Sequence, residues 1–128
     1  MTIRRIDQIG RWCARQDAAT RDNTFGPETD VYRVGDKIFA MVNLDDDGFV
    51  TLKADPDDAL ALRQQYDFVR PGYYMNKRHW ITVDVVPELP LDEVRELINE
   101  SYMLVFDSLT KAHKAGIASE TKHRRPHR

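Results

Sequence analysis

The stretch that decides the fold is DVYRVGDKIFAMVNLDDDGFVTLKADP, residues 30–56. Its apolar residues come in short runs that are separated by Gly35-Asp36 and by an acidic turn ending in Gly48. A two-residue link that contains glycine is typical of a tight hairpin, and glycine supplies the positive φ that many turns need. The stretch therefore predicts three consecutive antiparallel strands: Asp30–Val34, Lys37–Leu44 and Phe49–Ala54.

The middle and last of these strands differ in how their two faces are occupied. The middle strand carries five apolar residues in succession, which predicts a central position in the sheet, buried on both faces. In the last strand Val50 and Leu52 share one face, and Phe49, Thr51 and Lys53 share the other. One face of the sheet is thus expected to be dry and the other mixed.

Three helices are predicted around these strands. Apolar residues at spacings of three and four predict a first helix over residues 3–15, for which Thr2 can supply the N-cap. Asp55 followed by Pro56 is a helix start, because the Asp side chain caps and proline suits the first helical position. A long apolar stripe over residues 94–109 predicts the last helix.

The remaining segments complete the fold class. Residues 17–30 are polar and are expected to form a loop, and residues 68–78 an irregular segment or a short strand. Residues 80–86 alternate, with Ile81, Val83 and Val85 facing inward. The pattern predicts a two-layer α+β fold in the order α-β-β-β-α-β-β-α, with the helices on one face of an antiparallel sheet.

Charge divides the chain into an acidic body and a basic end. The net charge is −2, but residues 111–128 carry six Lys and Arg against one acid, or +5. The other 110 residues carry 13 basic against 20 acidic residues, or −7. We expect one domain over residues 1–110 and a basic, flexible tail at 111–128, of which residues 114–128 lack apolar anchors. The acidic body argues against a uniformly basic nucleic-acid-binding protein.

The sequence also predicts a compartment. Its longest apolar run is far shorter than the roughly 18 residues that span a bilayer, so no membrane partner is expected. The N-terminal residues mix charged and apolar side chains and do not read as a secretory signal. A single cysteine, Cys13, fits a reducing compartment. These features predict a soluble, cytoplasmic protein.

Two segments of the chain resemble the signature of the MmcQ/YjbR-like family. One runs from Phe25-Gly26-Pro27 to Ala40, and the other runs from Leu52 to Trp80. The most specific part is MNKRHW at residues 75–80, and the resemblance covers nearly everything before the basic tail.

This resemblance implies a sheet-and-helix fold similar to that of secretion chaperones and frataxin-like proteins. It also implies DNA binding, which has been proposed for the family from its double-wing shape. The chain departs from the family pattern at two positions. Tyr74 stands where the family typically has a histidine before the Met-Asn-Lys step, and Ala54 stands where a cysteine is common.

One group of residues combines cationic and aromatic side chains in a way that suits nucleic acid. Cationic groups neutralise phosphates, rings stack on bases, and asparagine can read a base edge. The members of this predicted site are Lys53, Arg70, Tyr73, Tyr74, Asn76, Lys77, Arg78, His79 and Trp80. An ordinary hairpin, in which Trp80 packs on a helix and Lys77 and Arg78 solvate a turn, explains the same residues, and the sequence leaves both interpretations open.

No catalytic site, cofactor or metal is expected. Cys13 lies on the apolar stripe of the first helix, where a small buried residue is ordinary. Residues 43–48 resemble the opening of a calcium-binding loop, but Ala54 stands where that loop needs a glutamate. His123 and His127 are four residues apart without acidic or thiol partners.

Two functional hypotheses follow. The favoured one is a non-enzymatic domain that binds DNA or another nucleic acid through the predicted site. The alternative is a protein-interaction or chaperone-like module that uses the open sheet face, with a protein partner or a second copy of the chain.

Overall fold

The computed structural model describes residues 3–72 and 75–124 and confirms the α+β class with an antiparallel sheet. Its elements, in chain order, are α1 (Arg5–Ala14), β1 (Thr20–Asp22), β2 (Thr29–Val34), β3 (Lys37–Asn43), β4 (Phe49–Lys53), α2 (Pro56–Gln65), β5 (Val69–Pro71), β6 (Trp80–Asp84), α3 (Leu91–Asp107) and α4 (Lys111–Arg124). None of these helices is long and apolar enough to cross a bilayer.

The sheet has the strand order β1-β2-β3-β4-β6-β5, and every neighbouring pair is antiparallel. The central position predicted for β3 is confirmed. The loop predicted for residues 17–30 is wrong in part, because Thr20–Asp22 pairs with β2 as an edge strand. This strand is short and polar and has no apolar alternation to reveal it. Its Asp22 carboxylate accepts a 2.7 Å hydrogen bond from Arg33 Nε on the neighbouring strand.

Two local sequence signals fold as predicted. The link between β2 and β3 places both Gly35 and Asp36 at positive φ, 55° and 69°, as a two-residue hairpin turn requires. At the start of α2, the Asp55 side chain accepts the backbone N–H of Asp57 at 3.0 Å, which satisfies one unpaired donor of the first turn. The cap predicted from Thr2 lies outside the described residues, and α1 begins at Arg5.

Strand β3 contains an irregularity that decides which side chains face the helices. Its register with β2 shifts by one residue, so that Tyr32 pairs with Ala40, Arg33 pairs with Ile38, and Phe39 is skipped. Strict alternation would place Phe39 on the same face as Met41. Because of the shift, Phe39 instead lies in the core with its ring 5.4 Å from that of Tyr102 on α3.

A buried hydroxyl joins this irregular point to the neighbouring strand. The pairing of β3 with β4 ends at Ala40 and Leu52. One residue beyond that pair, the Ser101 side chain of α3 bridges the two strands. Its Oγ donates to the Phe39 carbonyl at 2.6 Å and accepts the N–H of Lys53 at 2.8 Å. Ser101 is fully buried, so it satisfies a donor and an acceptor that water does not reach.

The core lies between the sheet and the helices and contains residues from all four helices. The basic end of the chain differs from the sequence expectation, because residues 111–124 form α4 and Ile117 is only 9% exposed within the core cluster. A single isoleucine makes no periodic stripe, so the sequence pattern did not show this anchor. The domain boundary at residue 110 stays a prediction.

We expect Ser101→Ala to lower the free energy of unfolding by about 3 kcal/mol. The substitution leaves the Phe39 carbonyl and the Lys53 N–H buried without partners, and each such group costs about 1–3 kcal/mol. Urea unfolding followed by circular dichroism measures the change.

The matched control is Ser108→Ala, because the Ser108 hydroxyl donates to the Val105 carbonyl at the exposed end of α3. The Val105 carbonyl also accepts the backbone N–H of Ser108 at 3.1 Å and keeps this partner in the variant, so a loss below about 1 kcal/mol is expected. Equal losses in the two variants would refute the bridging role of Ser101.

Candidate binding groove

The face of the sheet that points away from the helices carries two ordered rows of side chains. Cross-strand register places the first row across four strands, at Met41, Thr51, Thr82 and Arg70. The second row contains Asn43, Phe49 and Asp84. The hydroxyls of Thr51 and Thr82 pair at 3.0 Å, which lets two polar residues lie buried in the centre of this face.

A groove of about 700 Å³ opens on this face, within the range of ligand-binding cavities. Its apolar surface comes from residues of the sheet and of three flanking segments: Phe25, Met41, Phe49, Met75, Val85 and Val86. Phe25 is 52% exposed, which is unusual for a large apolar side chain.

The charged residues of the groove are almost all acidic. The carboxylates that line it are Glu28, Asp45, Asp46, Asp47 and Asp84. Among the described lining residues, Arg70 is the only lysine or arginine. We call this cavity, with its apolar surface and its carboxylates, the acidic groove.

A tight turn between β3 and β4 holds three of these carboxylates at the mouth of the acidic groove. The turn places Asp46 and Gly48 at positive φ, 53° and 85°. The Asn43 side chain accepts the N–H of Asp45 at 3.0 Å. A Cβ atom on Gly48 would lie 2.6 Å from the Asn43 carbonyl oxygen, so only glycine fits there.

Among the described residues of this face, Asp84 and Phe49 both contact Arg70. Its Nε and Nη2 donate to the two carboxylate oxygens of Asp84 at 2.8 and 2.7 Å. Its guanidinium carbon lies 5.7 Å from the centre of the Phe49 ring, within cation–π range. The charge of Arg70 is therefore engaged inside the acidic groove.

The predicted nucleic-acid site is split by the structure. Lys53 and Trp80 are cross-strand partners, and residues 76–79 form the turn that leads into β6. Arg70 lies toward the opposite end of β6, beside Asp84. The cross-strand pair Lys53–Trp80 lies four residues along the strands from the pair Phe49–Asp84, a distance of about 13 Å. Tyr73 and Tyr74 lie outside the described residues.

Two members of the predicted site are engaged in structure. The Asn76 side chain accepts the N–H of Arg78 at 2.9 Å and so closes its own turn. Trp80 faces away from the helices, as alternation predicts, but it is only 8% exposed, which leaves little of its ring for a base to stack on. Lys77 and Arg78 are exposed, and the His79 carbonyl accepts the N–H of Ala54.

The helix side of the molecule is acidic as well. Between α2 and α3, a smaller cavity of about 320 Å³ is lined by Asp58, Glu93, Glu96 and Glu100 beside apolar residues. Burial raises the pKa of Glu100, and the nearby carboxylates of Asp58 and Glu96 raise it further. This second cavity therefore repels polyanions too.

Of the residues that form the acidic groove, the sequence-predicted site contains only Arg70 among the described lining residues. Alternation had placed Phe49 and Asp84 on the outward faces of their strands, but only the register shows that they are partners across β4 and β6. Phe25 and Met75 come from loops, and no periodic signal assigns a loop residue to a face. Within residues 3–72 and 75–124, no three His, Cys, Asp or Glu side chains are grouped as a metal site requires.

Comparison with known proteins identifies the family. The model of the YjbR family matches residues 15–104. The chain belongs to the YjbR family. This confirms the resemblance seen in the sequence at Met75–Trp80 and in the earlier segment.

Curated relatives of this YjbR-family chain carry names that assign no activity. The "Uncharacterized protein YbdF" of Escherichia coli O157:H7 is 46% identical over 88 residues, which cover 68% of this chain and 72% of that protein. The "Uncharacterized protein YjbR" of Escherichia coli K12 is 33% identical over 98 residues, which cover 76% and 83% of the two chains.

Solved structures share the fold of this YjbR-family chain. Protein DR2400 of Deinococcus radiodurans, which carries the domain described as DUF419, has a TM-score of 0.82 at 30% identity, with 88% of this chain and 87% of that chain covered. A protein from Pseudomonas syringae has a TM-score of 0.67 at 26% identity, with 77% and 97% covered.

We expect Cys13 to be inert toward a thiol reagent while the protein is folded. It is fully buried, and burial raises the pKa of its thiol, so the reactive thiolate is scarce. Labelling with an aromatic disulfide reagent should be at least about a thousandfold slower in buffer than in urea, since only the small unfolded fraction reacts. Fast labelling in buffer, with the circular dichroism spectrum unchanged, would contradict this assignment.

Proposed function

We propose that this YjbR-family protein is a binding module, without a catalytic step of its own, that takes a cationic and partly apolar segment of another protein in the acidic groove. The observation that carries the proposal is the combination of an apolar surface with five carboxylates around it. Apolar side chains of a ligand gain free energy by burial on such a surface, and the carboxylates attract lysine or arginine at the same time.

The charge of the acidic groove weighs against a phosphate-rich ligand on this face. A phosphate about 8 Å from one carboxylate is repelled by about 0.5 kcal/mol in water. Five carboxylates line the cavity, and the one cation among its described lining residues is paired with Asp84. A basic segment reverses the sign of every one of these interactions.

The sheet edges favour binding on the face over strand addition. The edge strands β1 and β5 have three residues each, and β5 ends at Pro71, which has no N–H to donate to a partner strand. Short edges of this kind resist pairing with another chain. The acidic groove, by contrast, has room for several side chains of an extended segment.

Nucleic-acid binding is the second candidate, with the residues predicted from the sequence as its site. The observation that favours it is the turn at residues 76–79, which exposes Lys77 and Arg78 near the Lys53–Trp80 pair. This patch faces solvent at the end of the sheet away from Phe49 and Asp84. The two candidates share Arg70 but otherwise use different residues, so variants at the other positions separate them.

We expect the double variant Asp45→Asn/Asp47→Asn to weaken binding of a labelled synthetic peptide that alternates arginine and leucine by about five- to tenfold. Both side chains are exposed, so the fold is retained, and each exposed charge contact contributes up to about 1 kcal/mol. Fluorescence anisotropy measures the affinity, which should also fall as salt is added.

The matched control is Lys77→Ala/Arg78→Ala, which removes two exposed cations and should leave peptide affinity unchanged or slightly higher. A labelled DNA duplex is titrated in parallel. The second candidate replaces the first if two results are obtained together: the Lys77/Arg78 variant binds DNA more weakly than the wild type, and the Asp45/Asp47 variant binds the peptide as tightly as the wild type. If neither probe binds the wild-type protein, both candidates fail.

A further inference from the structure

Arg70 makes, within the chain, the contacts that an arginine of a binding partner would need. Both carboxylate oxygens of Asp84 accept hydrogen bonds from its guanidinium, at 2.7 and 2.8 Å. The face of the guanidinium is covered by Phe49, at 5.7 Å from the ring centre. All three residues line the acidic groove, and the Arg70 and Asp84 side chains are partly exposed there.

We propose that Asp84 and Phe49 form an arginine-selective subsite of the acidic groove, which Arg70 occupies until an arginine of the partner takes its place. This inference rests on the proposed function and names the side chain that the groove selects. Arg70 then acts as an internal competitor that lowers the affinity of the subsite for an arginine of the partner.

The geometry selects arginine over lysine for two reasons. The planar guanidinium presents two parallel N–H groups that match both oxygens of one carboxylate, whereas an ammonium offers a single point of charge. The flat guanidinium also stacks on the aromatic ring. Both contacts are already realised by Arg70, so the subsite is complete in the described structure.

The subsite is built on strands, which hold its groups in place. Phe49 and Asp84 are cross-strand partners on β4 and β6, and Arg70 pairs with Thr82 on the same face of β5. Residues on paired strands keep their relative positions better than loop residues do. The Arg70 and Asp84 side chains remain 46% and 33% exposed, so a partner side chain can reach both groups and displace the first.

The test compares two labelled peptides that alternate leucine with either arginine or lysine and are otherwise identical. The wild-type protein should bind the arginine peptide about five- to tenfold more tightly. Arg70→Ala should raise the affinity for the arginine peptide about fivefold and that for the lysine peptide by less than about twofold, because the competitor for the paired contacts is gone. Fluorescence anisotropy reads out all four affinities.

A second variant tests the subsite without changing Arg70, in case Arg70→Ala impairs folding. Phe49→Leu keeps an apolar side chain but removes the ring, and it should reduce the preference for arginine without weakening the lysine peptide. Equal affinities of the two peptides for the wild type, unchanged in both variants, would overturn the arginine subsite and leave the groove proposal standing. Absence of binding by either peptide would overturn both proposals, and weaker binding of the arginine peptide to Arg70→Ala would show that Arg70 does not compete.

Discussion

The contact on which the arrangement of the sheet depends is the buried hydroxyl of Ser101 between Phe39 and Lys53. A strand that skips one residue leaves backbone groups without partners, and each such group that is buried unpaired costs about 1–3 kcal/mol of stability. Ser101 satisfies the carbonyl of one strand and the N–H of the next from a single side chain on α3. The register shift at Phe39 is tolerated for this reason, and it turns the largest fully buried side chain toward the helices.

The same shift determines what faces the groove. Once Phe39 and Ala40 both belong to the core, Met41 and Asn43 belong to the opposite face, beside Thr51 and Phe49 of the next strand. The face then carries the paired hydroxyls of Thr51 and Thr82 at its centre, and it ends at the turn that carries Asp45, Asp46 and Asp47. Strands β3 and β4 bury one face of the sheet under the helices, and their opposite face lines the acidic groove. The candidate ligand surface therefore lies directly behind the core of the domain.

Local signals predicted well wherever a few neighbouring residues decide the geometry. Gly35-Asp36 determines a turn, and Asp55-Pro56 determines a helix start, because the relevant φ angles and caps involve residues adjacent in sequence. The edge strand β1 and the helix α4 were missed because their stability comes from contacts far along the chain, such as Asp22 with Arg33 and Ile117 with the core. The predicted nucleic-acid residues other than Lys53 share one segment of sequence, residues 70–80, but strand direction separates Arg70 from the Lys53–Trp80 pair.

The sequence by itself determined the fold class, the family and the sign of the charge on the body, because periodicity, motif and composition depend on residue order alone. It also assigned Phe49, Thr51 and Lys53 to one face of β4, as strand alternation requires. Only the tertiary structure decided that Phe49 lies opposite Asp84, that Arg70 reaches both, and that five carboxylates surround one cavity. Register between strands depends on core packing and on the turns that join the strands, and no pattern within a single strand encodes it.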